Sequence, residues 1–217
     1  MHEIETSRLL LRMFKPDDLD DLSRIYADAD VMKYLSGHPL TREEAASWLN
    51  YFLSGWEEYG FGWWAVVLKK SGELIGHCGL QFINVTPEVE VTYGLASAYW
   101  RKGLASETAR ACLRYGFEQL KLGRIYALAD PGNIWSHRVM ERVGMSYVKT
   151  EYYKDDLYEG DLIYYVISRD QYRPDGSPYS LRQPAGGDFR TRFIDKLEQR
   201  QREWMRLTLS DNEGVDG

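Results

Sequence analysis

The sequence predicts an α+β domain built around a mixed β-sheet. Strand-like and helix-like segments follow one another along the 217 residues in the order βααβββαβαββ, an arrangement in which helices cover a central sheet. Hydrophobic residues make up 44% of the chain and charged residues 28%, as in ordinary soluble globular domains. The length allows one complete domain with its own core and an additional segment.

The first half of the chain supplies a strand, two helices and three further strands. Residues 8–13 alternate weakly and predict the first strand. Pro16 can begin a helix that runs to about Ala29, with aspartates in its first turn and otherwise mostly on its solvated face. Thr41 and Glu44 form a capping-box pattern ahead of a second helix, over 42–58. The period-two pattern predicts the next three strands at 63–68, 74–82 and 89–95.

The second half alternates helices and strands up to about residue 172. Gly94, inside a predicted strand, suggests a bulge or a close approach of backbone to another group. The predicted helices are 104–120 and 135–143, and the predicted strands are 124–129, 147–153 and 162–168.

We expect a domain over residues 1–172 and a separate C-terminal segment over 173–217. Residues 173–178 and 183–187 are rich in proline and glycine and predict linkers. Between them and Leu209 runs a helical pattern whose apolar face predicts packing on the domain itself or on a sister subunit, and so a possible homodimer through this helix. Its mixed charges make a membrane or RNA contact the weaker alternative, and the residues from Ser210 onward are expected to be disordered. The apolar face of this helix consists of Phe189, Phe193, Leu197 and Trp204.

Charge and composition exclude several classes of function. A net charge of −6 argues against general nucleic-acid binding and is compatible with a cationic substrate. No apolar run approaches a membrane span, and the amino terminus does not resemble a signal peptide. Cys78 and Cys112 lie in apolar contexts and are expected to be buried free thiols in the cytoplasm. The four histidines do not have metal-ligand spacing, so we expect no metal.

A turn of small and basic residues joins the strand at 89–95 to the helix at 104–120. It reads Tyr99-Trp100-Arg101-Lys102-Gly103-Leu104-Ala105. The unpaired N–H groups and the positive end of the helix dipole suit a phosphate or pyrophosphate there, although alone the pattern equally describes a surface turn. About thirty residues later comes Asp130-Pro131-Gly132-Asn133, followed by Ile134-Trp135-Ser136-His137 and, further on, Glu141-Arg142-Val143-Gly144-Met145.

Together these motifs resemble the GNAT acyltransferases, and most closely the branch of the RimJ/RimL ribosomal-protein N-acetyltransferases. In that branch the turn commonly reads Tyr-Trp-Gly-Lys-Gly-Tyr-Ala, and the later element Asn-x-x-Ser. The opening at residues 5–12 and the segment 73–80 also fit, so that the resemblance extends from about Glu5 to Tyr172. It implies a GNAT fold whose sheet splays apart between its fourth and fifth strands, with the pantetheine arm of the cofactor in the gap.

The resemblance implies an enzyme that transfers an acetyl group from acetyl-CoA to a primary amine, with CoA as the product. A peptide N-terminus or a small cationic amine is the expected acceptor, attacking directly in a ternary complex. The alternative is a non-catalytic acyl-CoA-binding module of the same fold. The cofactor-binding residues implied are Leu95, Arg101, Lys102, Gly103, Leu104, Ala105, Ser106, Asn133 and Ser136.

Glu90 is the expected general base, because it matches the glutamate of the strand that reads Glu-Ile-Gly-Tyr-Trp-Leu in this branch. A glutamate merely exposed at a strand edge is the alternative, and Glu88 is a weaker substitute. Many GNAT enzymes have a tyrosine as general acid where this chain has Met140, which cannot donate a proton. One helical turn earlier stands Ser136, which the branch implies as the group that meets the departing sulfur, unless it is only a first-turn helix serine.

The sequence says least about the identity of the amine acceptor and the site that binds it. The oxyanion donor is expected to be a backbone N–H of the strand near 92–95, where Thr92 and Gly94 replace the glycine and tryptophan of the branch. The segment 151–161 carries five acidic residues and one lysine. It suits a cationic acceptor, and equally describes a solvated acidic hairpin.

Overall fold

A computed structural model describes residues 2–154, 158–182 and 189–212. These residues form one sheet with the strand order β7-β8-β6-β5-β4-β3-β2-β1-β9 and helices against both of its faces. The strands are β1 Glu3–Thr6, β2 Leu9–Met13, β3 Trp63–Leu68, β4 Glu73–Phe82, β5 Val89–Leu95, β6 Arg124–Ala129, β7 Ser146–Lys154, β8 Glu159–Ser168 and β9 Tyr179–Arg182. The α-helices are α1 Leu19–Tyr26, α2 Ala29–Met32, α3 Arg42–Tyr59, α4 Leu104–Glu118, α5 Ile134–Arg142 and α6 Phe189–Asn212.

One neighbouring pair of strands differs from all the others. Every adjacent pair in the sheet is antiparallel except β5 and β6, which run parallel. Within these two fully described strands the register holds a single pair, Glu90 opposite Tyr126. The α+β fold with a mixed sheet is therefore confirmed. The strands β5 and β6 correspond to the fourth and fifth predicted strands, and their single register pair is compatible with the expected splay between those two strands.

The α3 helix forms where its sequence signals place it. The Thr41 hydroxyl accepts a hydrogen bond from the Glu44 N–H at 3.2 Å, and the Glu44 carboxylate accepts one from the Thr41 N–H at 2.7 Å. This reciprocal pair satisfies two of the backbone donors that a helix start leaves free. The helix ends at Gly60, which has a φ of 74° and so adopts the left-handed conformation that a C-terminal cap requires.

The helix expected from Pro16 to Ala29 is interrupted. Residues 16–18 form a 3₁₀ turn, α1 ends at Tyr26, and α2 follows as a separate short helix. The expectation that the aspartates lie on a solvated face is wrong for Asp18, which is buried and receives two hydrogen bonds of 2.7 Å from the Arg12 guanidinium. Asp18 can be buried because both of its carboxylate oxygens are paired with the guanidinium of Arg12, which lies six residues earlier in the chain.

Two buried apolar clusters hold the helices on the sheet. One lies between the sheet and α4 and includes Cys78 and Cys112, whose sulfurs are 3.0 Å apart. Both are buried free cysteines, as predicted. The second cluster lies between the sheet and α1–α3 and is centred on aromatic side chains such as Phe52 and Trp63. Burying each large apolar side chain contributes roughly 1.5–3 kcal/mol, so these faces fix where the helices sit.

The C-terminal segment contributes to the same sheet and core. The strand β9 lies between the two predicted linkers and pairs antiparallel with β1. The sequence pattern predicts neither of these strands. On α6, Phe193 is only 1% exposed, and Arg192 donates to the Glu57 carbonyl oxygen at 2.9 Å. Of the two partners expected for this helix, its own domain is therefore one against which it packs. The division at residue 172 and a homodimer through α6 stay predictions.

Two further expectations concern the end of the chain and membranes. Disorder was expected from Ser210 onward, but α6 continues to Asn212, and residues 213–217 lie outside the described part of the chain. Over the residues that the structure describes, no helix is both long enough and apolar enough to cross a bilayer.

Gly60 offers a direct test of how α6 docks. A Cβ at this position would lie 2.1 Å from the Phe189 carbonyl oxygen and 2.8 Å from the Phe193 nitrogen. Gly60→Ala should therefore displace α6, on top of the roughly 1–2 kcal/mol that a left-handed non-glycine residue costs. We expect an extra loss of stability in urea unfolding and faster proteolysis within 189–212.

Gly72→Ala is the matched control, because Gly72 has a φ of 72° and a Cβ there would meet nothing within 4 Å. Equal losses in the two variants would contradict the docking of α6 against Gly60.

Two buried histidines predict sensitivity to acid. Burial lowers the pKa of His2 to about 4 and that of His77 to about 3, whereas histidine in an unfolded chain titrates near 6.5. The unfolded state therefore binds more protons below pH 6.5. Stability should be complete above that pH and fall by about 1.4 kcal/mol per pH unit for each histidine as the pH drops toward 4.

His77→Asn should flatten this dependence when urea midpoints are measured between pH 7.5 and 4.5. His38→Asn, which alters an exposed histidine, should leave the slope unchanged. An unaltered slope for His77→Asn would show that this histidine is not the source.

Candidate active site

The turn between β5 and α4 presents the start of α4 without a capping side chain. Gly103 is the N-cap residue, with a φ of 74° and no side-chain hydrogen bond to the first helical turn. A Cβ at Gly103 would meet only the Arg8 guanidinium, at 3.7 Å. The left-handed backbone conformation, and not a lack of space for a side chain, is therefore the main reason for a glycine at this position. Because no side chain caps the helix, its first-turn N–H groups remain able to bind an anion.

A network from the β1–β2 turn holds this helix start in place. The Glu107 carboxylate accepts hydrogen bonds from the Thr6 hydroxyl at 2.7 Å and from the Arg8 N–H at 2.9 Å. The Arg8 guanidinium also pairs with Glu107 at 2.6 Å and donates to the Lys102 carbonyl oxygen at 2.9 Å. Burial alone would raise the pKa of Glu107, but these hydrogen bonds and the arginine hold that pKa below its usual value. The carboxylate thus stays charged and ties the turn to the sheet.

The predicted cofactor residues of the turn have distinct environments. Leu104 and Ser106 are buried, and the Ser106 hydroxyl has no hydrogen-bond partner among the described residues. Lys102 folds back, its ammonium donating to the Ala98 carbonyl oxygen at 2.8 Å. The Leu95 carbonyl oxygen accepts a hydrogen bond from the Trp100 indole at 2.7 Å. A buried orphan hydroxyl in the first turn fits a site that receives a polar ligand.

Across the gap, Asn133 and Ser136 lie at the start of α5. The Asn133 side chain accepts a hydrogen bond from the Ser136 N–H at 3.1 Å, which makes it the predicted helix cap. The Ser136 hydroxyl lies 3.0 Å from the hydroxyl of Tyr93 on β5. Met140 is 1% exposed and belongs to the core, so it takes no part in the site.

Tyr93 was missed by the sequence reasoning, which placed it in the strand without a role. Burial raises the pKa of its phenol, although the hydrogen bond with Ser136 acts in the opposite direction. The phenol is protonated at neutral pH, and it lies 3.3 Å from the Ser136 carbonyl oxygen and 3.0 Å from the Ser136 hydroxyl. The available signal was strand parity, since Tyr93 faces the same side of the sheet as its cross-strand partner Cys78.

Glu90 occupies the point at which β5 and β6 separate. It is 9% exposed, and one of its carboxylate oxygens accepts a hydrogen bond from the Gln81 amide at 2.8 Å. The side-chain oxygen of Gln81, Oε1, in turn accepts a hydrogen bond from the Tyr51 hydroxyl at 3.4 Å. Burial, followed by the nearby carboxylates of Glu151 and Glu90, raises the pKa of Tyr164 on β8 to about 12.

Glu88, the weaker substitute, is engaged elsewhere. It forms an ion pair with Arg124, including a hydrogen bond of 3.0 Å from the arginine Nε. That contact raises the pKa of Arg124. Glu90 instead has the neutral Gln81 opposite it in the strand register and accepts a hydrogen bond from the Gln81 side-chain amide.

The expectation of a bulge near Gly94 needs correction. The strands β4 and β5 pair without a register shift, and the irregularity lies instead between β3 and β4, at Val66 and Val67. Gly94 is explained by close approach, the other expected reason, because a Cβ there would lie 2.5 Å from the imidazole of His77. His77 is fully buried, and its Nδ1 is 2.6 Å from the Tyr26 hydroxyl. The ring of His77 fills the space in front of Gly94.

The acidic segment 151–161 is partly neutralised within its own hairpin. Glu151 pairs with Lys149 at 2.5 Å, and Glu159 pairs with Lys154 at 2.8 Å. Asp155 and Asp156 lie outside the described residues. The described part of this segment thus favours the solvated acidic hairpin over a field that attracts a cationic acceptor.

The side chains of β5 divide the site between two faces. Glu90 and Gly94 share a face with their cross-strand partners Gln81 and His77, toward α1 and α3, whereas Tyr93 points to the opposite face, toward α4. Glu90 and the Tyr93–Ser136 pair therefore lie on opposite faces of the sheet beside the same gap.

The fold and this gap define an acyltransferase class, and comparison with known proteins identifies the family. The family described as the acetyltransferase (GNAT) domain matches residues 8–146. The protein YkkB of Bacillus subtilis is 38% identical over 68% of this chain and 87% of its own length, and the N-acetyltransferase YnaD of the same organism is 33% identical over 79% and 99%. The chain belongs to the GNAT acetyltransferase family and is an acyltransferase.

A solved structure supports the same conclusion. An acetyltransferase of the GNAT family from Bacillus anthracis superposes with a TM-score of 0.68 at 30% identity, over 77% of this chain and 99% of the other.

The contact between Gly94 and His77 predicts a specific cost. In Gly94→Ala the new methyl group would collide with the buried imidazole of His77 and distort β5. We expect the free energy of unfolding to fall by roughly 1–3 kcal/mol, which is typical of overpacking. Thermal and urea unfolding would measure it. Gly123→Ala is the control, because a Cβ at Gly123 would have open space and no left-handed conformation. A Gly94→Ala variant as stable as the wild type would contradict this packing.

Proposed function

We propose that this protein is an acetyl-CoA-dependent N-acetyltransferase of the RimJ/RimL-like branch, acting on a primary amine. More distant relatives support an amine acceptor. One is the putative ribosomal N-acetyltransferase YdaF of Bacillus subtilis, 31% identical over 105 residues, and another is the spermidine N(1)-acetyltransferase of Escherichia coli, 26% identical over 165 residues. The observation that carries the proposal is the placement of Glu90 and the Tyr93–Ser136 pair on opposite sides of the same opening in the sheet.

The residues at the start of α4 would hold the cofactor. Acetyl-CoA supplies an activated thioester when bound. The backbone N–H groups of 104–106, together with the unpartnered Ser106 hydroxyl, would receive the pyrophosphate. The Arg101 side chain would add positive charge at the rim, and the outer edge of β5 beyond Glu90 offers backbone groups to the pantetheine amides.

Glu90 would accept the proton of the attacking amine. The carboxylate lies on the face toward α1 and α3, so the acceptor would enter from that side. An α-amine with a pKa near 8 is partly neutral at pH 7, whereas a lysine near 10.4 is almost wholly protonated. A peptide N-terminus or another weakly basic amine therefore asks less of Glu90 than a lysine side chain does.

The Tyr93–Ser136 pair would serve the departing sulfur. A tyrosine is protonated at neutral pH, so Tyr93 would donate to the Ser136 hydroxyl, which lies 3.0 Å away, and leave the serine proton free to meet the thiolate. The serine role implied by the sequence is thereby extended to a second residue. An N–H of β5 between Thr92 and Leu95 is the proposed oxyanion donor.

Direct attack within a ternary complex fits the described cysteines. Cys78 and Cys112 are both fully enclosed and contact each other. Burial raises the pKa of the Cys78 thiol, so it stays protonated and is a poor nucleophile. The alternative of a non-catalytic acyl-CoA-binding module rested on Met140 and on the altered positions Thr92 and Gly94, and the presence of Tyr93 beside Ser136 weakens the part that rested on Met140.

Replacing the proposed base separates catalysis from cofactor binding. Glu90→Gln keeps the shape and can keep the contact with Gln81, but it removes the proton acceptor. We expect kcat to fall by roughly 10²–10⁴-fold, while the affinity for CoA measured by calorimetry changes little. Thiol release from acetyl-CoA would be followed with peptides that have free N-termini, with a polyamine and with an amino-acid amide.

Glu88→Gln is the control for this experiment, because it removes a carboxylate of the same strand region that pairs with Arg124 at the surface. Turnover by Glu90→Gln at the wild-type rate would remove Glu90 from the mechanism. Loss of activity in both variants to the same degree would point to a loss of structure instead.

A further inference from the structure

Arg101 combines an unfavourable backbone conformation with an unpaired charge. Its φ is 60°, in the left-handed region that disfavours residues with a Cβ. It lies two residues before Gly103, the residue that begins α4. Since an arginine in this conformation costs folding free energy, its side chain must contribute something that the backbone alone does not.

The side chain of Arg101 forms a cluster with two residues of α5. The Arg101 guanidinium carbon lies 4.8 Å from the centroid of the Trp135 ring, and that of Arg138 lies 4.7 Å from the same ring. The indole is 46% exposed, so the cluster is open to solvent. We call Arg101, Trp135 and Arg138 the arginine clamp.

The arginine clamp carries positive charge that no acid neutralises. Neither Arg101 nor Arg138 forms an ion pair or a hydrogen bond with any residue that the structure describes. Two guanidiniums held against one ring repel each other, and an anion that bridges them relieves that repulsion. Stacking on the indole also fixes the arginines in advance, so that less side-chain entropy is lost on binding.

A cleft elsewhere in the structure is a weaker candidate for an anion. It has a volume of about 350 Å³ and lies between the β1–β2 turn, α4 and residues 172–179. Three of its four arginines are ion-paired, Arg8 with Glu107, Arg110 with Asp175 and Arg114 with Glu118, and the fourth, Arg173, donates to the carbonyl oxygens of Asp170 and Tyr172. The charges of this cleft are therefore used within the fold, in contrast to those of the arginine clamp.

We propose that the arginine clamp binds the 3′-phosphate on the ribose of CoA and makes the enzyme selective for the 3′-phosphorylated cofactor. The inference rests on the proposed function, which places the pyrophosphate at the start of α4. The ribose 3′-phosphate is the next anionic group along the cofactor, and the arginine clamp joins the start of α4 to the first turns of α5 at the border of the gap. Guanidiniums bind phosphate oxygens through paired, charge-assisted hydrogen bonds, and Trp135 positions them.

The test compares CoA with 3′-dephospho-CoA by calorimetric titration of the full chain. Wild type should bind CoA roughly tenfold to a hundredfold more tightly, the range for hydrogen bonds to a charged group. Arg138→Gln should lose most of that preference by weakening CoA alone, and Arg138→Lys should retain part of it. Arg142→Gln alters an exposed arginine at the end of α5 that makes no contact with Trp135, and it should keep the wild-type preference.

Arg101→Gly distinguishes binding from a structural role. Glycine accepts the left-handed conformation, so the variant should be at least as stable as wild type in thermal unfolding, yet it should discriminate less between the two cofactors. Equal affinities of wild type for CoA and 3′-dephospho-CoA would overturn the inference and leave the proposed function standing. Equal weakening of both ligands by Arg138→Gln would also overturn it. Failure of wild type to bind either ligand would overturn the proposed function itself.

Discussion

The separation of β5 from β6 is the constraint on which the rest of the structure depends. These strands run parallel and share one register pair, Glu90 with Tyr126, before they part. Strands that part leave backbone groups unpaired at the edge of an otherwise closed sheet, and such groups need partners. The opening therefore leaves a polar edge of backbone groups along β5, and Glu90 lies where this edge begins.

The start of α4 must be held rigidly beside this opening for a ligand to bind there. The hydrogen bonds from Thr6 and Arg8 to Glu107, and from Arg8 to the Lys102 carbonyl oxygen, tie the turn to the first two strands. A half-buried carboxylate with several charge-assisted partners is costly to disrupt, since removing one partner leaves the others unsatisfied. Residues about a hundred positions apart thus fix the geometry of the proposed cofactor site.

Aromatic packing shapes the opposite face, where the acceptor would enter. His77 is enclosed by Tyr26, Phe52 and Trp63, and its ring takes the space in front of Gly94. The branch that this chain resembles commonly has a tryptophan at the place of Gly94. In this chain the imidazole of His77, on the neighbouring strand β4, occupies the space in front of that position.

Sequence alone determined the elements that depend on local chemistry. The capping box at Thr41 and Glu44, the Asn133 cap and the strand periodicities are set by neighbours within a few residues, and the structure confirms them. The order of the GNAT motifs also sufficed for the family, and with it the location of the proposed cofactor site. Tertiary structure decided what depends on distant contacts. The β9 strand pairs with β1 at the other end of the chain, Thr6 and Arg8 hold Glu107 at the start of α4, and Tyr93 on β5 meets Ser136 on α5. Local pattern does not encode such contacts, since their free energy arises only when segments far apart in sequence meet.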